Sequence, residues 1–309
     1  MNLVTDGNTR SLFLIALFPC LLTVLLILSQ VFTAYGFNAS IASDFVRMHF
    51  VSGLLMSFGS GYLWLCLKFN NINLVSALIS LLIKTNQLSE LRLKRKHLRA
   101  RYKLDAFNAL VVSFILVTLL VFIENLLVVP PTVYQYAYLV NAVIFFFILG
   151  FAIVQISSNL NYLNQDVLVS TSNEIDHLNG AFIIIKFGIS NISKLIYLAL
   201  LMPLIYLNRT MMISELAIFS AFLIFAASGP IRKTWELFSV WSKDKKRISD
   251  KFDETRYSDR NIAGAYDTVT FETYGEISSI SARELLEVKK YVAGLSLILL
   301  LWLVVHIYK

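Results

Sequence analysis

The sequence predicts an all-α polytopic membrane protein with seven transmembrane helices, N-terminus inside, C-terminus outside, and cytosolic helical extensions. Three observations predict this class. The 309 residues are 57% hydrophobic and only 15% charged, against about 45–50% and about 25% in soluble domains. Long apolar runs alternate with dense charged segments, and the mean hydropathy is +0.68. The Lys and Arg residues are sorted into alternate loops, as the positive-inside rule requires. Together these features exclude a soluble enzyme, a disulfide-rich secreted domain, a disordered chain and a coiled coil.

A helix needs about 20 apolar residues to cross the hydrocarbon core. The first such run is residues 11–32, preceded by Arg10. It is too long for the apolar core of a secretory signal and lacks a good small-residue cleavage site, so a retained helix is expected, with a cleaved one the alternative. The second is residues 46–69, and the short apolar stretch Asn73 to Ile83 after it reads as a separate cytosolic or interfacial helix. The third is residues 107–129, stopped by Pro130 and Pro131, and the fourth is residues 133–157. The fifth, residues 182–207, carries Lys186 and Lys194. Lys186 is expected in a cytosolic extension, and Lys194 either snorkels or faces the protein interior. The sixth is residues 213–231, ending at Gly229 and Pro230, and the seventh is residues 291–308. Residues 242–280 form a charged cytosolic loop, and the whole chain is one transmembrane domain.

Sidedness follows from charge. The connection after the second run holds Lys84, Arg92, Lys94, Arg95, Lys96, Arg99, Arg101 and Lys103 against Glu90 alone. The segments from Thr33 to Asp44 and from Glu124 to Gln135 contain no Lys or Arg. The basic segments therefore lie in the cytoplasm. Two glycosylation sequons, at Asn38 and Asn208, fall in loops that charge had already placed outside, while a third at Asn191 lies within a span. The net charge of +7 is absorbed by these cytoplasmic loops, so nucleic acid is not an expected partner. Membrane lipid is one, because the basic run at 92–103 also attracts anionic headgroups.

Chemistry is sparse. Gly53, Ser57 and Gly61 recur every four residues and form a flat stripe for close helix packing, or else the lining of a ligand cavity. Leu54 and Leu63 beside them are expected to face lipid. The four histidines lie on different segments with no metal spacing, and His49 is expected in an interfacial ion cluster with Asp44 and Arg47. Cys20 and Cys66 read as small buried hydrophobes rather than a disulfide. There is no nucleophile elbow, phosphate loop or Cys-x-x-Cys, so neither an enzyme nor a cofactor is expected. The many aromatics fit interfacial belts, or a greasy pocket in the outer halves of the helices.

Near the C-terminus, Phe271 to Gly275 reads Phe-Glu-Thr-Tyr-Gly, and Ile280 to Leu286 reads Ile-Ser-Ala-Arg-Glu-Leu-Leu, before the last apolar run. With seven helices and an internal N-terminus, this resembles the insect gustatory and odorant receptor superfamily. The family's Thr-Tyr and Gln-Phe signature pairs are absent, and Leu295-Ser296 and Trp302-Leu303 stand in their places. The resemblance implies a chemosensory receptor that binds a small organic molecule among the outer halves of its helices. It further implies a tetramer, homomeric or heteromeric, acting as a ligand-gated cation channel. Residues 291–308 would then line a central pore, with Leu299 and Trp302 one turn apart at its constriction. The alternatives are a non-conducting structural or trafficking protein and a transporter.

Overall fold

The computed structural model describes residues 12–36, 44–84, 87–123, 132–168, 174–201, 228–247 and 250. All secondary structure among them is helical. The elements are α1 (Leu12–Tyr35), α2 (Asp44–Lys84), α3 (Leu91–Ile123), α4 (Val133–Asn161), α5 (Glu174–Leu201) and α6 (228–247). A 3₁₀ turn, Leu88–Glu90, leads into α3, and a π-helical turn, Tyr162–Leu168, follows α4. Four of the helices are long and apolar enough to cross a membrane: Ala16–Tyr35, His49–Lys84, Leu88–Phe122 and Val133–Gln165. The fifth expected span is helical as far as Leu201, and its remainder lies outside the described residues. So do most of the sixth, the seventh and nearly all of the 242–280 loop.

Two boundaries differ from the sequence reading. The stretch Asn73 to Ile83 is not a separate helix, because α2 runs unbroken for 41 residues to Lys84. The basic run at 92–103 is not a loop but the first turns of α3. At 1.5 Å per residue, α2 is about 60 Å long and α3 about 50 Å, both well beyond a bilayer core of about 30 Å. Asn70 and Asn71, which suggest an end to the second apolar run, do not break the helix. No Pro or Gly stands between Gly61 and Lys84 to disrupt its backbone ladder.

The chain divides into two compact units, Met1–Thr234 and Trp235–Lys309. In the first, α4 is the hub and packs against α1, α2, α3 and α5. Its most apolar stretch is 61% buried, against 17% for that of α1. The sequence explains the difference: Phe145, Phe146, Ile148, Leu149, Phe151 and Ala152 are apolar over a broad arc of the helix and all buried, while Val133, Tyr136, Val140 and Val143 form its exposed face. Thr132 starts α4 with a capping box. Its hydroxyl accepts from the Gln135 amide N–H at 3.3 Å, and the Gln135 carboxamide accepts from the Thr132 N–H at 2.6 Å. By contrast, α1 exposes Leu17, Phe18, Leu21, Val24, Leu25 and Leu28 along one broad face, and α3 exposes Phe107, Leu110, Val111, Phe114, Ile115 and Phe122. Apolar faces of this extent match lipid rather than water.

Cross-helix contacts fix the directions. Gln30 of α1 meets Ala137 of α4, and Gly61 of α2 meets Pro19 of α1. Asn141 of α4 meets Gly53 of α2, whereas Gln155 meets Asn71. Ser113 of α3 meets Val143, and Tyr162 meets Lys94. Helices α2 and α4 therefore run parallel, and α1 and α3 run the opposite way. This is the alternation expected when consecutive helices each cross a membrane once.

In the second unit the described residues form one helical stretch. Trp235, Phe238 and Trp241 lie in series along it, their rings tilted and with centroids 6.1 and 6.0 Å apart. The Lys245 ammonium lies 5.1 Å from the Trp241 ring, and burial pushes it below the ordinary lysine range.

Candidate functional site

The interior of the first unit is studded with polar side chains, in three groups. The first lies where the C-terminal end of α1 meets the N-terminal ends of α2 and α4. The Asn141 amide donates to the Gly53 carbonyl at 2.7 Å and to the Ser57 hydroxyl at 2.9 Å. Ser57 in turn donates to the Gly53 carbonyl at 2.9 Å. Gln30, fully buried, donates to the Ala137 carbonyl at 3.1 Å, and its own oxygen has no partner. The His49 ring is buried 5.3 Å from that of Tyr138, and Tyr134 is buried nearby in the same core. His49 is thus a buried group packed at a tilt against an aromatic ring, and the side chains of Asp44 and Arg47 lie outside the described residues.

The Gly53, Ser57 and Gly61 stripe faces this seam. A Cβ on Gly53 would lie 2.7 Å from the Gln30 carboxamide oxygen and 3.4 Å from the Tyr134 hydroxyl. A Cβ on Gly61 would overlap the Thr23 hydroxyl and stand 3.2 Å from the Pro19 carbonyl. That carbonyl already accepts from the Thr23 hydroxyl at 2.9 Å, in the turn that follows Pro19. Leu63 was expected to face lipid; it is instead 2% exposed and part of the core. The reason is that α2 touches α1, α4 and α5 and has little free face along this stretch.

The second group lies further along α2. Gln155 donates to the Asn71 carboxamide at 2.8 Å, with both side chains buried. The neighbouring Asn70 is 2% exposed, and neither its amide nitrogen nor its oxygen has a hydrogen-bond partner. Asn70 lines a small cavity with Leu63, Cys66, Leu67, Ala152, Ile156 and Lys194. Lys194 donates to the Asn191 carboxamide at 3.2 Å. Cys20 and Cys66 are both free thiols, Cys20 on the exposed face of α1 and Cys66 on the wall of this cavity.

The third group joins α3 to the end of α4. Burial pushes the Asp105 carboxyl above the usual carboxylate range, and the Ser158 hydrogen bond and the nearby Arg101 charge offset only part of that. The Arg101 guanidinium lies 5.3 Å from the Tyr162 ring, and the Tyr162 hydroxyl donates to the Lys94 carbonyl at 2.7 Å. Lys233 donates to the Asn161 carboxamide. The α4 end that carries the π turn is therefore held by the basic part of α3.

None of the three groups was anticipated. The amides Gln30, Asn70, Asn71, Asn141 and Gln155 that build them are uncharged and belong to no motif. The available signal was that each interrupts an otherwise apolar run, which in lipid demands a partner. Leu299, Trp302, Asn38 and Asn208 lie outside the described residues. No family model, curated protein or solved structure matches the chain.

Proposed function

We propose that the chain is a seven-helix membrane receptor of the chemosensory type, with its N-terminus inside and its C-terminus outside. It binds a small organic ligand and acts as one subunit of a homomeric or heteromeric ligand-gated cation channel, tetrameric by the resemblance. The observation that carries the receptor reading is the first polar group. Charge places the C-terminal end of α1 and the N-terminal ends of α2 and α4 outside, and those three ends converge on Gln30, His49, Tyr134, Tyr138 and Asn141. Buried aromatic walls with a few polar groups are what recognises a small organic molecule. The opposite ends of these helices adjoin the basic residues of α3, which supports their cytoplasmic placement.

In this reading residues 291–308 line the pore and gate it by dewetting at Leu299 and Trp302. Ligand-evoked current in cells expressing the chain, alone or with partner subunits, tests the proposal. Cysteines at Leu299 and Trp302 should then make that current sensitive to thiol reagents. Absence of current with every partner, or current indifferent to modification at both sites, rejects the channel. A transporter is the second reading. It is favoured by Lys194, an ionisable group inside an apolar helix and beside a cavity. Substrate flux without ligand-evoked current would select it.

A further inference from the structure

We propose that one face of α3 is a binding site for a single polyphosphorylated inositol lipid of the cytoplasmic leaflet. This rests on the membrane placement of the chain and not on the receptor reading. Arg92, Lys96, Arg99 and Lys103 are all exposed, and their spacing of four, three and four residues puts them on one face of the helix. The same face continues through Phe107, Leu110 and Phe114, which are also exposed. At 100° per residue these positions stay within an arc of about 80°. A column of cations therefore runs straight into a column of exposed apolar side chains. An anionic phospholipid lying along the helix matches both parts, with its acyl chains on Phe107, Leu110 and Phe114 and its headgroup on the cations.

The cations of this face have no acidic partner on α3. Glu90 pairs with Lys94 at 3.6 Å, on the opposite side of the helix. Asp105 is buried on that opposite side too. Like charges three and four residues apart repel each other. The first turn of α3 holds no acidic residue, so nothing in it offsets the positive end of the helix dipole. A bound polyanion relieves both effects. Length then selects the headgroup. Lys103 stands one turn from Phe107, beside the diester phosphate that every phospholipid carries. Lys96 and Arg92 lie about 10 and 16 Å further along the helix axis. A serine headgroup ends short of them, whereas an inositol ring with added phosphates extends past Arg99 toward Lys96. The planar fork of Arg99 grips a phosphate with two hydrogen bonds. Four basic residues directly cytoplasmic of a span suit such a lipid.

The test uses the full chain in a neutral detergent, with lipids added as mixed micelles and bound lipid counted by native mass spectrometry. Phosphatidylinositol bisphosphate should saturate at one molecule per chain. Phosphatidylserine at the same total charge should bind more weakly, and phosphatidylcholine should not compete. Combining Lys96→Gln with Arg99→Gln should weaken binding about thirtyfold. Removing the same charge elsewhere, with Lys243→Gln and Lys246→Gln at exposed positions of α6, should leave binding unchanged. Inositol trisphosphate, which has no acyl chains, should displace the lipid only at much higher concentration. The comparison of lipids on the wild-type chain stands even if a variant fails to fold. Equal binding of phosphatidylserine would mark a non-selective anionic surface, and the proposal is then wrong. Equal losses in the two double variants, or displacement by inositol trisphosphate at matching concentration, also overturn it.

Discussion

At the scale of single residues, the buried amides divide into satisfied and unsatisfied ones, and stability should follow that division. Asn141 supplies two hydrogen bonds to α2. Interhelical bonds of this kind contribute about 0.6 to 2 kcal/mol each in membranes. Asn141→Leu should therefore lower stability by about 1–3 kcal/mol, measured by thermal or denaturant unfolding in detergent. Asn70 makes no hydrogen bond, so Asn70→Leu should leave stability unchanged or raise it. Asn71→Leu, one position on, should destabilise because it strands the Gln155 amide. Equal effects at Asn70 and Asn71 would show that the pairing of Gln155 with Asn71 has no energetic consequence. Asn70 and Asn71 look identical in the sequence. Helix geometry turns them about 100° apart, and only the neighbours on each side decide which one finds a partner.

At the scale of elements, the small-residue stripe of α2 is legible as a pattern, but its two glycines meet different surroundings. Gly53 faces the flexible end of Gln30, which can move aside. Gly61 faces the Thr23 hydroxyl and the backbone carbonyl of Pro19, which cannot move without shifting α1. Gly61→Leu should therefore reduce the folded, surface-expressed fraction much more than Gly53→Ala, with Leu54→Ala as a mild control. Surface labelling of an epitope-tagged chain reads this out, and equal tolerance at Gly53 and Gly61 would refute the packing role. The continuity of α2 is a second element-level claim. Phe58 and Ile83 are both exposed and lie 25 residues apart, so on one straight helix they share a face about 37 Å apart. Spin labels at the two positions should give a single narrow distance near that value. A broad or much shorter distribution would mean that the helix breaks near Asn70.

For the molecule as a whole, the alternating directions of α1 to α4 and the gathering of basic residues at one end lead to a topology prediction. An N-terminal tag should be hidden on unpermeabilised cells and a C-terminal tag exposed. In an Asn208→Gln background, Asn38→Gln should remove any remaining glycan-dependent shift in mobility if the loop after α1 faces outside. The reverse tag pattern would end both the topology and the receptor reading. The C-terminal part of α2 is packed inside the unit, where Leu74, Leu78, Leu81 and Leu82 are buried. The basic first turns of α3 suit water or headgroups, whereas the apolar faces of α1 and α3 suit acyl chains.

The sequence by itself determined the class of protein. Hydrophobic run length and charge segregation are one-dimensional quantities, and the bilayer acts on them through thickness and potential alone. It also determined the start of α4, because the Thr132 and Gln135 capping box is local. What only the tertiary structure decided is which face of each helix is inside. Period and composition are nearly uniform around α2 and α4, since lipid and protein interiors are equally apolar and leave no amphipathic stripe to read. Leu63 and Leu54 are chemically alike, yet α2 meets three neighbours and buries Leu63. The polar groups show the same limit: Lys194, Asn70 and Cys66 are scattered along the chain and acquire a shared cavity only when α5 packs against α2.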